Sequence, residues 1–234
     1  MNIFGPPVAT HDSNKIVVVI LGLLAAGAVY FAWLAGQSSG DAAGVVFCLV
    51  IALLFGFWAV WAWKRRVVLH PEGLSYSSLF GEKQMRWDNL TQFYYQATKR
   101  SVNFIPIGTY YNFRLVDADG QKIRMGTGLS NGADLAQKLL ELTQVPLLRR
   151  LATQFDSGAD VDCGPIRINR QNGIVVKKLF GKRQLAWSEV QSYAIQRGHF
   201  YIWRTGEKRT TGPAISSVPN AFALLGLLNI IFKR

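Results

Sequence analysis

The chain has 234 residues, of which 50% are hydrophobic, and it carries a formal net charge of +12. This length is sufficient for one or two domains with cores of ordinary size. With only Cys48 and Cys163, the chain has no disulfide framework, which excludes a disulfide-rich secreted scaffold and agrees with a reducing compartment.

Two uncharged apolar runs dominate the first part of the chain. Residues 16–36 and 44–63 contain no Asp, Glu, Lys or Arg, and each is long enough to cross a hydrocarbon core of about 30 Å as a helix. Only "QSSGDAA" separates them. The sequence therefore predicts a transmembrane hairpin over residues 16–63. A cleaved signal peptide is the alternative for the first run, but that run is longer than an ordinary signal core and a second span follows at once.

The charges that flank these runs predict the orientation of the hairpin. Lys15 precedes the first run and Lys64, Arg65 and Arg66 follow the second, whereas the connecting segment carries only Asp41. Lys and Arg beside a span favour the cytoplasmic side. We therefore expect a multi-pass membrane protein with both termini in the cytoplasm, including a cytoplasmic N-terminal segment.

The rest of the chain contains an internal repeat with an offset of one hundred residues. The run "SSLFGEKQMRW" at 77–87 matches "KKLFGKRQLAW" at 177–187. The identical pairs are Gly73 with Gly173, residues 79–81 with 179–181, Gln84 with Gln184, Trp87 with Trp187 and Gln96 with Gln196. A period this long indicates a tandem duplication rather than a solenoid.

Each copy shows hairpin signals followed by an apolar helical run. Short alternating segments surround turns such as "PEG", "FGE" and "DADG". Residues 133–144 then predict a helix that Pro146 limits, and the second copy ends in "AFALLGLLNIIF" after Pro219. Each copy is thus expected to be a small antiparallel β-barrel or sheet capped by a C-terminal helix.

These residues resemble a known family. The order of hairpins, the "RWDNL" and "AWSEV" motifs and the closing helix are similar to bacterial pleckstrin-homology-like domains. The region from about residue 64 to the end looks like an uncharacterised bacterial family in which a membrane hairpin precedes two such domains. The resemblance implies a fold and an architecture, and it brings no established activity.

The resemblance implies a protein of a bacterial inner membrane. We accordingly predict a membrane α-helical hairpin followed by two tandem PH-like domains. The expected boundaries are 1–15 for the N-terminal segment, 16–63 for the hairpin, 64–145 for the first domain, 146–163 for a linker and 164–234 for the second domain.

Two pairs of aromatic residues recur in both copies. Trp87 and Trp187 are expected to be core residues that pack under the helix. Phe80 and Phe180 stand beside turn glycines, and for them a core position is expected, with a membrane contact at the hairpin tip as the alternative.

Signatures of catalysis are largely absent. The three histidines, His11, His70 and His199, are far apart in the sequence, and neither a phosphate-binding loop nor a dinucleotide fingerprint occurs. Asp156, Asp160 and Asp162 are not followed by the Asn or Asp and the Glu that a calcium loop has at its later positions, which favours a solvated linker. We expect no enzymatic activity, no cofactor and no metal site.

The best candidate site is the basic hairpin of the second copy. Lys177 and Lys178 precede the "LFG" turn, and Lys182 and Arg183 follow it. Four cations at one hairpin tip are what an anionic lipid headgroup requires. The alternative is a solvated or protein-facing hairpin. Nucleic acid is not expected, because no recognition helix or stacking platform is evident.

Two functions from different classes fit this organisation. The first is a membrane-anchored, non-catalytic adaptor that contacts a partner protein and, as a further candidate, anionic lipid headgroups. The second is an accessory subunit of a larger membrane enzyme or transporter, which co-purification in mild detergent would reveal. The apolar last helix is expected to be buried on two sides, against its own sheet and against the first copy, a partner subunit or the membrane surface.

Overall fold

The computed structural model describes residues 4–38, 42–102, 105–126, 128–177, 181–206 and 212–233. The chain divides into two compact units, the first comprising residues 1–84 and 128–131 and the second residues 85–127 and 132–234. This division does not follow the expected domain boundaries, which stay a prediction, as does the PH-like assignment.

Two long helices form the first part of the chain. Helix α1 (Lys15–Ser38) and helix α2 (Ala42–Trp63) pack along each other and expose most of their large apolar side chains. Asn14 caps α1, because its Oδ1 accepts a hydrogen bond from the amide of Ile16 at 3.0 Å. Both helices are long and apolar enough to cross a membrane.

The first sheet contains a strand that the sequence did not predict. Its antiparallel order is β1-β2-β3-β4, formed by β1 (Ala9–Asp12), β2 (Arg66–Leu69), β3 (Gly73–Ser78) and β4 (Gly81–Arg86). Strand β1 precedes α1 and pairs with β2, which follows α2. The sheet therefore joins the start of α1 to the end of α2.

Further contacts fix this meeting point. The amide of Ser13 donates to the carbonyl of Arg65 at 3.1 Å, and Arg66 Nε donates to Asp12 Oδ1 at 2.6 Å. The guanidinium of Arg65 lies 4.1 Å from the ring centroid of Trp61. Burial lowers the pKa of Arg65, and Tyr76 partly opposes that shift.

The second unit begins with a three-stranded antiparallel sheet and a long helix. Strands β5 (Leu90–Val102), β6 (Ile105–Asp117) and β7 (Lys122–Met125) have the order β5-β6-β7, and helix α3 (Gly132–Asp156) follows.

The prediction that Pro146 limits this helix was wrong. Proline inside a helix costs about 3 kcal/mol, but buried residues continue beyond it at helical spacing, namely Leu147, Leu151 and Phe155. Each such side chain contributes about 1.5–3 kcal/mol when fully buried. The packing therefore outweighs the broken hydrogen bond, and residues 146–156 of the expected linker are helical.

A second four-stranded sheet follows, with the order β11-β10-β9-β8. It contains β8 (Val161–Cys163), β9 (Ile166–Asn169), β10 (Gly173–Lys177) and β11 (Lys182–Leu185). Strands β12 (Val190–Gln196) and β13 (His199–Arg204) form a two-stranded sheet, and helix α4 (Ala221–Lys233) closes the described chain.

Helix α4 is a core element. Its buried side chains, among them Leu224, Leu227 and Leu228, lie on a helix that packs against α3, β5 and β12. The ring of Phe222 stands edge-on to Tyr95 of β5 at 5.4 Å. The last helix therefore packs against its own copy and against the first copy of the repeat, which is one of the neighbours expected from the sequence.

The repeated aromatic residues do not share one environment. Trp87 is 4% exposed, as expected of a core residue. Trp187 is half-buried and packs edge-on against Phe155 of α3 and Phe232 of α4, at 5.7 and 5.8 Å. Phe80 is 84% exposed at the β3–β4 turn, so the core position expected for it was wrong. Phe180 lies outside the described residues.

Candidate anion-binding site

The basic hairpin is formed by strands β10 and β11. Lys177 lies directly opposite Lys182 in the antiparallel register, and Val176 lies opposite Arg183. Lys178 lies outside the described residues. Because residues opposite each other in a sheet share one face, the register brings Lys177 and Lys182 together on one face and assigns Arg183 to the other.

The two faces of this hairpin differ in burial. Lys177 and Lys182 are exposed, whereas Val176 and Leu185, on the face of Arg183, are 8% and 1% exposed. The charge of Arg183 acts on Glu189 instead. The hydrogen bond from the Ala186 amide is the larger cause of the lowered pKa of Glu189, and the charge of Arg183 lowers it further. Of the candidate cations that the structure describes, Lys177 and Lys182 therefore lie together on one face.

These two lysines lie at a groove on the open face of the second four-stranded sheet. The groove has a volume of about 580 Å³, which is within the range of small-ligand sites. Strands β9, β10 and β11 and the residues beside them supply its lining. The lining residues are Asp160, Arg167, Asn169, Asn172, Gly173, Val175, Lys177, Lys182 and Gln184.

The far side of the groove is held by an arginine between two carboxylates. Arg167 Nη2 donates to Asp162 Oδ2 at 2.7 Å, and its Nη1 lies 3.6 Å from Asp160 Oδ2. Burial alone would raise the pKa of Asp162, but hydrogen bonds from Arg167 and the Gly164 amide, with the charges of Arg167 and Lys177, lower it below its ordinary value. The charge of Arg167 is therefore already balanced within the protein.

Amide side chains complete this side of the groove. Asn169 Nδ2 donates to Asp160 Oδ1 at 2.8 Å, and its Oδ1 accepts from the amide of Gln171 at 2.8 Å. Gln184 Nε2 donates to the carbonyl of Asn172 at 3.2 Å. These bonds tie the groove wall to the β9–β10 turn.

The charges of Lys177 and Lys182, unlike that of Arg167, are not balanced by an ion pair with a described residue. Like charges directly opposite each other in a sheet are destabilising. An anion with several acceptor oxygens, such as a phosphate group, would relieve that repulsion and accept hydrogen bonds from both ammonium groups.

The first copy lacks this arrangement at the repeated positions. Ser77 stands where the second copy has Lys177, and Glu82 where it has Lys182. The cation pair is thus a property of the second copy.

Sequence reasoning missed the participation of Arg167, Asp160 and Asp162. The two aspartates were expected in a solvated linker, yet Asp162 lies opposite Arg167 in the β8–β9 pair. The alternation in "VDCGPIRIN", with a Gly-Pro turn at its centre, is the signal that indicates this pairing. Among the described residues, no group of three or more His, Cys, Asp or Glu side chains is arranged to hold a metal ion.

The chain therefore belongs to the class of proteins that join two apolar N-terminal helices to several antiparallel sheets and a C-terminal helix. It is a member of the Family of unknown function (DUF6585), which matches residues 2–233. No curated protein matches the sequence.

Proposed function

We propose that the protein is a membrane-anchored, non-catalytic adaptor of a bacterial inner membrane. Two tandem PH-like domains, 64–145 and 164–234, work in the cytoplasm and contact a partner protein. Lys177 and Lys182 of the second domain contact the phosphate of anionic lipid headgroups. The observation that carries the proposal is the cation pair without an ion-pair partner in the described part of the chain, on an open groove.

The anchor is supported by the first unit. Helices α1 and α2 have the length and composition of membrane spans. The β1–β2 pairing joins their outer ends, which are flanked by Lys15 before the first helix and by Lys64 and Arg66 after the second. Basic residues on one side of both spans favour a cytoplasmic location of that side.

The size of the expected lipid contact suits a tethered domain. A Lys or Arg near an anionic surface contributes about 1 kcal/mol, so the pair contributes about 2 kcal/mol. That attraction is too weak to recruit a free protein from solution. It is sufficient to bias the orientation of a domain that its own helices hold at the membrane.

The test measures binding of a short-chain phosphatidylglycerol to the full chain in neutral detergent. The Lys177→Ser/Lys182→Ser variant is expected to bind at least about tenfold more weakly, since tenfold corresponds to about 1.4 kcal/mol. The matched control is Arg149→Ser/Lys233→Ser, which removes the same charge from exposed positions of α3 and α4. The control should bind as the wild type does, and added salt should weaken binding in both.

Two results would contradict the proposal. One is equal binding of short-chain phosphatidylcholine, which carries no net charge. The other is an equal loss in the lysine variant and in the control, because that result would reflect net charge rather than the groove.

A further inference from the structure

A second basic surface lies on the open face of the β5-β6-β7 sheet. In the register, Tyr94 of β5 lies opposite Arg114 of β6, and Arg114 lies opposite Arg124 of β7. Lys122 is two residues from Arg124 on the same strand and therefore lies on the same face. We call these four residues the basic face.

The opposite side of the same strands forms core. Phe93, Phe113, Leu115, Ile123 and Met125 are at most 7% exposed. Because side chains alternate along a strand, the basic face is directed away from this core. Arg124 and Lys122 are exposed, and Arg114 and Tyr94 are half-buried.

Tyr94 holds Arg114 in a defined position. The guanidinium carbon of Arg114 is 3.6 Å from the centroid of the Tyr94 ring, a cation–π contact. The Tyr94 hydroxyl donates to Gln92 Oε1 at 3.1 Å. The planar guanidinium is therefore oriented before any ligand arrives.

No carboxylate in the described part of the chain neutralises the two arginines. Neither Arg114 nor Arg124 forms an ion pair with a described residue. Asp117, at the end of β6, is 7% exposed and accepts a hydrogen bond from the Gln121 amide at 2.8 Å. Asp119 accepts from Asn89 Nδ2 at 2.8 Å.

We infer that the basic face docks an acidic helical segment of a partner protein. This inference rests on the proposed adaptor function and names the chemistry of its partner. Guanidinium groups bind carboxylates in a bidentate manner. Cβ atoms of opposite residues in a sheet are about 4.5–5.5 Å apart, and those of Asp or Glu residues one turn apart on a helix are about 5–6 Å apart. Arg114 and Arg124 can thus each hold one carboxylate of such a pair.

The same contacts argue against a nucleic acid on this face. Single-stranded nucleic acids bind sequence-tolerantly by stacking their bases on aromatic rings. The ring of Tyr94 is already covered by Arg114, so this ring is not free to stack on a base.

The experiment measures fluorescence anisotropy of a labelled alanine-based helical peptide with Glu at every fourth position, added to the full chain in neutral detergent. Arg114→Gln/Arg124→Gln is expected to weaken binding at least about tenfold. Lys177→Ser/Lys182→Ser is the matched control, and it should bind the peptide as the wild type does. Arg114→Lys/Arg124→Lys keeps the charge but loses the bidentate geometry, so it should fall between the wild type and the glutamine variant.

Several outcomes would overturn the inference. They are no peptide binding by the wild type, equal binding by the glutamine variant, or tighter binding of an oligouridylate of the same net charge. The phosphatidylglycerol assay separates this failure from failure of the proposed lipid contact. The glutamine variant should keep its lipid binding, whereas the lysine variant should lose it and keep peptide binding.

Discussion

Asn220 and Phe93, which are 127 residues apart in the sequence, are joined by two hydrogen bonds. The amide of Phe93 donates to Asn220 Oδ1 and the amide of Asn220 donates to the carbonyl of Phe93, both at 2.8 Å. Asn220 Nδ2 also donates to the carbonyl of Thr91 at 2.8 Å. Asn220 immediately precedes α4, so one side chain fixes the last helix of the second copy to β5 of the first copy.

Replacement of Asn220 by alanine is expected to destabilise the protein by about 2–5 kcal/mol. The buried Phe93 amide left without its acceptor costs about 1–3 kcal/mol, and Asn220 has a φ of 58°, which costs alanine about 1–2 kcal/mol. Thermal unfolding of the full chain, followed by tryptophan fluorescence, measures the effect.

Two further substitutions separate these causes. Asn220→Gly loses the side-chain bonds but tolerates the positive φ, so it should unfold at a higher temperature than Asn220→Ala. Asn220→Asp keeps the acceptor for Phe93 but loses the donor to Thr91, and it should be destabilised as well. Wild-type stability of the alanine variant would show that the pairing contributes nothing.

Gly173, at the start of β10, should tolerate alanine far less well than Gly181. Both glycines have positive φ, at 78° and 88°, so both variants carry the backbone cost of about 1–2 kcal/mol. A Cβ at Gly173 would lie 2.1 Å from the carbonyl oxygen of Leu185, whereas no described atom is within 4 Å of a Cβ at Gly181. We expect a clearly larger fall in unfolding temperature for Gly173→Ala, and equal falls would contradict the β10–β11 geometry.

The parts of the fold that depend on local pattern were predictable. Uninterrupted apolar composition predicts α1 and α2, and alternation around turns predicts the hairpins. Strand β1, "ATHD", was missed because it is short and gains its order only by pairing with β2. The extent of α3 beyond Pro146 also depends on tertiary packing, which overrides local propensity.

In the candidate site, too, local pattern predicted some features and tertiary contacts decided others. Sequence spacing brought Lys177 and Lys182 to one hairpin, but strand alternation assigns Arg183 to the other face. The arginines of the basic face alternate with apolar residues in "FRLVD" and "KIRM", and this pattern predicts that they lie on the face opposite the core. What the sequence did not reveal is which carboxylates balance which cations, because that depends on contacts such as Arg167 with Asp162.

Asp162 should make stability depend on pH in the acid range. Its pKa is lowered in the folded state, so the unfolded carboxylate binds protons first as pH falls below about 3.9. The stabilisation is therefore present above that pH and is lost as pH falls through the folded pKa. Unfolding temperatures measured between about pH 6 and pH 2.5 should decline less steeply for Asp162→Asn than for the wild type.

Arg167→Gln is the matched control for this dependence. It removes the hydrogen bond and the charge that lower the pKa of Asp162. The variant should lose the same acid-dependent component while keeping the carboxylate. If both variants follow the wild-type curve, the Arg167–Asp162 contact does not contribute to stability in solution.

Cys163 of β8 should be almost inert to alkylation in the folded protein. Its side chain is fully buried, and that burial, with a smaller effect of the Asp162 charge, raises the pKa of the thiol to about 12. The thiolate is the reactive form. At pH 8 only about one molecule in ten thousand would carry it, against about a quarter for a thiol of ordinary pKa near 8.5.

The measurement uses a Cys48→Ser chain, so that Cys163 is the one thiol present. Mass spectrometry should show labelling by iodoacetamide at least about a hundredfold slower in the folded protein than in denaturant. Asp162→Asn added to this chain should leave labelling slow, because burial is the larger cause of the raised pKa. Rapid labelling of the folded chain would mean that β8 opens locally and that the aspartate side of the groove is not a fixed wall.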